Sequence, residues 1–233
     1  MTTLDAATVT ARVDARHWRV VLGRLEATFR TGTFVRGLDL VNRIGALAEQ
    51  AGHHPDLLVR YPTVRVALVS HDVGGLTDRD VQLAGRISTL ADELGIDADP
   101  SAAQTTEIAI DALDIDAVRP FWRAVLGYQD DGADLVDPAG AGPRVWFQQM
   151  DAPRPQRNRI HLDVTVSHTD AQARVAAALD AGGTLLSDAR APAFWVLADA
   201  EGNEVCVCTW RNRAEPSPDI SEVDRRRPGA GRS

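Results

Sequence analysis

The sequence predicts an α+β protein built in two parts, and three observations carry that prediction. In the first part a strand pattern of period two sits between helical patterns, giving the order helix, two strands, helix, two strands, helix. That order packs as an antiparallel four-stranded sheet with its helices on one face. In the second part a unit of one strand, one helix and three strands occurs twice. Between the two the charge changes: residues 1–97 hold 11 arginines against 12 acids, residues 98–210 hold 8 against 17, and the remainder from Arg211 holds 6 against 4. The step falls at a segment containing Pro100 and small residues. The expected organisation is therefore a domain over 1–97, a linker over 98–105, a second domain over 106–210 and a disordered tail over 211–233, where Pro216, Pro218, Pro228 and Arg225-Arg226-Arg227 stand among few apolar residues.

Each element has its own justification. Over residues 37–52, Val41, Ile44, Leu47, Ala48 and Ala51 recur at spacings of three and four, an amphipathic helix that Gly52 ends. His53-His54-Pro55 follows at once. Residues 63–70 then alternate, with Val64, Val66 and Leu68 on one face and Arg65, Ala67 and Val69 on the other, as a half-buried strand does. His71 stands at its exit. After Gly74-Gly75, Thr77-Asp78-Arg79-Asp80 has the form of a capping box opening a helix whose face is Leu83, Ile87, Leu90 and Leu94. In the second part Glu107-Ile-Ala-Ile opens one unit and His161-Leu-Asp-Val the other, 54 residues later. Each runs into a helix, over 117–126 before Gly127 and over 171–179 before Gly182-Gly183. Asp137-Pro-Ala-Gly140 precedes Arg144-Val-Trp-Phe-Gln148 in the first, and Asp199-Ala-Glu-Gly202 precedes Glu204-Val-Cys-Val-Cys208 in the second.

Composition removes several classes of function. With 44% hydrophobic and 25% charged residues among 233, and no apolar run long enough to span a bilayer, a globular protein without a membrane partner is expected. All 25 basic residues are arginine, which excludes Schiff-base chemistry and every other mechanism that needs a side-chain amine. The acidic second half argues against nucleic acid as a partner. Cys206 and Cys208 are the only cysteines, too close along one strand to bond to each other, so no disulfide framework is expected and a reducing, cytoplasmic setting fits. The first twenty residues carry Asp5, Arg12, Asp14, Arg16 and Arg19 without a continuous apolar stretch, so no signal peptide is expected.

Three histidines at element ends suit acid–base chemistry, because imidazole titrates near neutrality and both donates and accepts protons. The competing reading is a surface pair or a cation at a helix end. Metal binding by His53 and His54 is disfavoured, since neighbours on an extended segment point in opposite directions.

The order Glu49, His53-His54-Pro55, Tyr61, His71, Asp80 resembles the signature of pterin-4a-carbinolamine dehydratases. It extends outward to Trp18, Phe29 and Phe34 and covers roughly residues 13–95. The resemblance implies a dehydratase converting 4a-hydroxytetrahydropterin to quinonoid dihydropterin and water, with the pterin as its small-molecule substrate and no metal or organic cofactor required. It implies His53, His54 and His71 as catalytic, with His53 and His71 exchanging protons with the leaving hydroxyl and N5, in an order the residues leave open, and His54 assisting. Glu49, four residues before His53, is expected either to orient an imidazole or contact the pterin, or to be a solvated helix carboxylate. Asp80 is a helix cap that the resemblance also marks as a site residue. Tyr61 and Trp18 either border the pterin ring or pack. Homo-oligomers are implied as well.

The second part, with Phe121-Trp122-Arg-Ala-Val-Leu-Gly127 and Asp199-Ala-Glu-Gly-Asn-Glu204, resembles the glyoxalase and bleomycin-resistance class, the vicinal oxygen chelate superfamily. The resemblance covers about residues 105–210 and implies paired βαβββ units forming a cupped sheet. Position by position it places possible metal ligands at Glu107, at Trp146 or Gln148, at His161 and at Cys206. Because Cys206 stands where the family carries a carboxylate, the set is poorly matched to oxygen-preferring metals. The expectation is a cup that holds no metal, with His161 satisfied inside it and Cys206 a small buried hydrophobe. Such a cup would bind an unidentified small molecule against Trp146, Phe147 and Trp195. Two other functional readings stand beside the dehydratase: a non-enzymatic regulatory or oligomerisation module with a ligand-sensing cup, and a metal-dependent glyoxalase-type lyase or dioxygenase in the second half.

Overall fold

The computed structural model describes residues 2–153 and 160–211, so the tail expected to be disordered lies, beyond Arg211, outside the described residues. The chain divides into two compact units, Met1–Thr105 and Thr106–Ser233.

The first unit has three helices, α1 (Ala6–Arg12), α2 (Phe34–Ala51) and α3 (Asp78–Glu93), and four strands, β1 (Arg19–Val21), β2 (Arg24–Arg30), β3 (Asp56–Arg60) and β4 (Thr63–Leu68). The strands form one antiparallel sheet in the order β1-β2-β4-β3. Register explains which face is covered. Leu25, Ala27 and Phe29 pair with Leu68, Val66 and Val64, so six apolar side chains share one face. Leu40 and Ile44 of α2 and Leu83, Ile87 and Ala91 of α3 are buried against them, and each large side chain removed from water there contributes about 1.5–3 kcal/mol. The opposite face is polar: Arg65 reaches both carboxylate oxygens of Glu26 at 2.6 Å.

Two boundaries differ from the periodic reading. The helix begins at Phe34 rather than near residue 37, because the Thr33 side chain accepts from Arg36 N. Its first turn leaves Phe34, Val35 and Leu38 exposed, which hides it from a search for a buried face. The strand ends at Leu68, two residues short of Ser70, and the chain instead closes a turn in which Ser70 and Gly75 form an isolated bridge. The segment over 98–105 starts docked on β2: Asp99 N donates to Thr28 O at 2.7 Å, and Arg30 reaches the Asp99 carboxylate at 2.6 Å.

The second unit contains two copies of one topology. The first is β5 (Glu107–Ala112), α4 (Ile115–Leu126), β6 (Gln129–Asp131), β7 (Asp134–Val136) and β8 (Arg144–Gln149); the second is β9 (Leu162–Thr165), α5 (Ala171–Asp180), β10 (Thr184–Ser187), β11 (Phe194–Ala198) and β12 (Glu204–Cys208). The sheets run β5-β8-β7-β6 and β9-β12-β11-β10, and in both the first and last strands pair parallel. This is the paired βαβββ, cupped architecture.

Phe121, Trp122 and Val125 of α4 share one core with Ala171, Val175 and Ala178 of α5. Polar links join the copies: Trp122 Nε1 donates to Asp199 Oδ2 at 2.9 Å, and the Glu201 carboxylate accepts from Leu113 N and Asp114 N ahead of α4. Gly183 sits under the Phe121 ring, and a Cβ there would also lie 2.8 Å from the Ala178 carbonyl oxygen, a backbone atom that cannot swing away. Gly183→Ala is therefore expected to destabilise the second unit by about 1–3 kcal/mol through overpacking. Calorimetry should show its transition falling while that of the first unit stays in place.

Candidate functional site

The site in the first unit is organised by one carboxylate. Asp80 is fully buried at the start of α3. Its Oδ2 accepts from Thr77 N at 2.7 Å, Ser70 Oγ at 2.8 Å and Thr77 Oγ1 at 3.1 Å, and its Oδ1 lies 2.8 Å from Nε2 of His53. The capping box predicted from Thr77 and Asp80 is formed, and the same carboxylate reaches the histidine that follows α2. With Asp80 acting as acceptor to backbone and hydroxyl donors, the consistent tautomer has His53 Nε2–H donating to Oδ1, which leaves the Nδ1 lone pair as a base. His53 is 7% exposed and lines a cleft of about 140 Å³ with Ala51, Arg79, Gln82, Leu83 and Arg86. Nε of Arg79 is buried there without a partner, while its terminal nitrogen pairs with Asp72. The larger cavity, about 410 Å³, lies further along α2 and α3 and contains none of the histidines.

The remaining expected residues separate into two groups. His54 points away from His53 and pairs with Glu49, Nε2 to Oε1 at 3.0 Å, with both side chains exposed. Glu49 thus orients His54 and not His53. Gly52 takes a left-handed conformation at the end of α2, and the helical spacing of four that would have stacked Glu49 under His53 stops there. His71 is exposed and directly follows Ser70, so the Asp80 network holds the backbone beside it. Tyr61 is 74% exposed, at the turn between β3 and β4. Trp18 is a core residue, its Nε1 donating to Ser88 Oγ at 3.0 Å and its ring edge-on to Phe29. It lies in the buried cluster under the sheet and does not border the cleft.

In the second unit the expectation of a cup without metal is corrected. His161, Asp163 and Cys206 place one ligand atom each within 4.8 Å of one another. His161 Nε2 is 3.3 Å from Cys206 Sγ, and its Nδ1 is 3.0 Å from Asp163 Oδ1. Parallel pairing of β9 with β12 sets Asp163 directly beside Cys206. Val205 and Val207 pack toward α5, so Cys206 lies on the opposite face, with Cys208, Val196 and Phe194. A hydrogen bond with Cys208 pushes the Cys206 thiol up, and burial adds to the effect. Glu107 does not belong to this cluster. Nitrogen, oxygen and sulfur together form a borderline-soft donor set that fits zinc better than the oxygen-preferring metals.

Comparison with known proteins matches each of the two units to a different family. The Pterin 4 alpha carbinolamine dehydratase family matches residues 2–90, and the Glyoxalase-like domain family matches residues 107–208. A relative in Thermosynechococcus vestitus named for pterin-4-alpha-carbinolamine dehydratase is 50% identical over 74 residues, which are 32% of this chain and 78% of that one. The chain belongs to the pterin-4-alpha-carbinolamine dehydratase family. Its dehydratase unit is fused to a glyoxalase-like domain. Among solved structures, a transcriptional coactivator/pterin dehydratase from Brucella melitensis is 22% identical, covering 39% of this chain and 99% of that one with a TM-score of 0.36. A glyoxalase/bleomycin resistance protein/dioxygenase family enzyme from Burkholderia phytofirmans is 18% identical, covering 46% of this chain and 98% of that one with a TM-score of 0.35.

Within the dehydratase unit, sequence reasoning missed Ser70 and Arg79 as parts of the site. Ser70 was hidden inside the expected strand, and Arg79 inside the capping box. In the glyoxalase-like domain it missed Asp163, two residues beyond a flagged histidine. The dehydratase unit also offers a contrast between its two carboxylates. Asp80→Ala leaves Ser70, Thr77 and His53 without their buried acceptor and should cost about 2–4 kcal/mol in urea denaturation. Glu49→Gln, at an exposed pair, should leave the midpoint unchanged.

Proposed function

We propose that the dehydratase unit removes water from 4a-hydroxytetrahydropterin by histidine acid–base catalysis. The reaction needs one proton delivered to the hydroxyl on C4a, which departs as water as the C4a–O bond breaks, and one proton taken from N5, whose electrons form the new double bond. Donor and acceptor side chains are sufficient for both. The observation that carries the reading is the buried 2.8 Å link between His53 and Asp80. A carboxylate on Nε2 fixes the ring and stabilises the imidazolium that forms when Nδ1 accepts a proton, the same division of labour as in a Ser-His-Asp triad. In this reading His53 is the base for N5. His71, exposed at the exit of β4, is the acid for the hydroxyl. His54, exposed and held by Glu49, assists in positioning.

The test is a carbinolamine dehydration assay on the full chain. His53→Ala is expected to lower kcat/KM by about 10²–10⁴, the range a positioned general base supplies. His71→Ala should lower kcat as well, and Glu49→Gln should cost less than about tenfold, since it acts only through His54. If His53→Ala and His71→Ala both leave the rate unchanged, the reading is wrong.

A further inference from the structure

We propose that Arg79 is a positioning residue of the dehydratase: through Asp72 its guanidinium holds the turn that carries His71, as its neighbour Asp80 holds His53. The proposal rests on the reading of His71 as the acid for the leaving hydroxyl.

His71 is exposed, so packing does not fix it. His71 and Asp72 are the central residues of a β-turn closed by Val73 N donating to Ser70 O at 3.2 Å, and Gly74 N donates in turn to His71 O at 3.3 Å. Gly74 takes the left-handed conformation at φ +64°, and Gly75 follows it. A turn that runs into two glycines is held only as well as its attachments hold it.

Two of those attachments flank the histidine. On one side Ser70 Oγ donates to Asp80 Oδ2 at 2.8 Å, and Ser70 is bridged to Gly75. On the other side the Asp72 carboxylate pairs with the terminal nitrogen of Arg79. A single attachment at Ser70 leaves the turn free to pivot about it. A second at Asp72, with His71 between the two, removes that freedom. Hydrogen bonding from Arg79 holds the Asp72 carboxyl below its usual range, so the pair is ionised at neutral pH. The Arg79 and Asp72 side chains are 28% and 60% exposed, and water screens their attraction, so the pair adds little to stability. Its effect is on where the imidazole points.

Both clamps start from adjacent residues in the first turn of α3, which refers His53 and His71 to one rigid element. Arg79 also lines the cleft beside His53. Direct contact with the pterin is the competing role, and kinetics separate the two.

The experiment measures kcat and KM for carbinolamine dehydration on the full chain with Asp72→Asn, Arg79→Gln and the two combined, each with and without His71→Ala. A displaced acid loses rate without losing affinity, so Arg79→Gln is expected to lower kcat by about 10- to 100-fold with KM unchanged, the scale of a misplacement of about 1 Å. Asp72→Asn should match it, and the double variant should fall no further. In the His71→Ala background Arg79→Gln should have no effect, because it acts through the missing imidazole. Arg79→Lys, which keeps the charge without the fork, should recover part of the rate, and the urea midpoint of Arg79→Gln should stay that of the unaltered chain. An unchanged rate in Arg79→Gln beside an impaired His71→Ala overturns the proposal alone. So does a raised KM or a further loss in the His71→Ala background, either of which marks Arg79 as touching the pterin, and so does a lowered urea midpoint, which marks a merely structural role. An unchanged rate in His71→Ala overturns the reading of His71 and the proposal with it.

Discussion

A carboxylate taken wholly out of water has to be met by donors, and in the first unit Asp80 is met by donors from three separate parts of the chain. Thr77 N belongs to the first turn of α3, Ser70 to the exit of β4, and His53 to the chain leaving α2. Satisfying one side chain therefore fixes the relative position of the end of one helix, the start of another and the end of a strand. The start of α3 is also where the helix dipole favours a negative charge. Displacing any of the three elements leaves a buried charge short of a donor, which is more costly than the loss of an ordinary contact. The histidine that the proposed reaction needs most is thus placed by the same group that starts α3.

The glyoxalase-like domain uses the same device at Asp199. Its Oδ1 accepts from Glu201 N and Asn203 N, folding the loop between β11 and β12, and its Oδ2 accepts from Trp122 Nε1 in the other copy. The two copies share one topology and have diverged on the sheet face turned away from the helices. The matching parallel register puts Trp146 beside Ala109 in the first copy and Cys206 beside Asp163 in the second. One copy offers an indole and a methyl group where the other offers sulfur and a carboxylate.

Much of this was legible in the residues. Period-two alternation located β4, spacings of three and four located α2 and α3, and the 54-residue offset located the duplication. The capping box named Asp80 correctly as a cap. It could not name the partner of Oδ1, because His53 is 27 residues away and nothing in local pattern couples a helix start to the end of the preceding helix. Glu49 as a partner of His53 was one of the readings left open, on a helical rule that holds only while the helix continues. Gly52 ends it one residue before the histidine.

Asp163 was missed for a different reason, which lies in strand geometry. Neighbouring strands stand about 4.8 Å apart, so two polar side chains paired in register on one face are already within reach of a single ion. Residues two apart on one strand share a face at about 6.6 Å, a gap that long side chains such as histidine close. A group of possible ligands therefore needs only His-x-Asp at the start of one strand and a thiol opposite the aspartate, which is the arrangement of His161, Asp163 and Cys206. Weighing ligands one at a time by position removes Asp163 from consideration, because its importance arises from its neighbour across the ladder and not from its place in the copy. The His-x-Asp pair was visible in the sequence. The pairing that makes it chemical becomes visible only once β9 and β12 are known to run parallel, with Asp163 against Cys206.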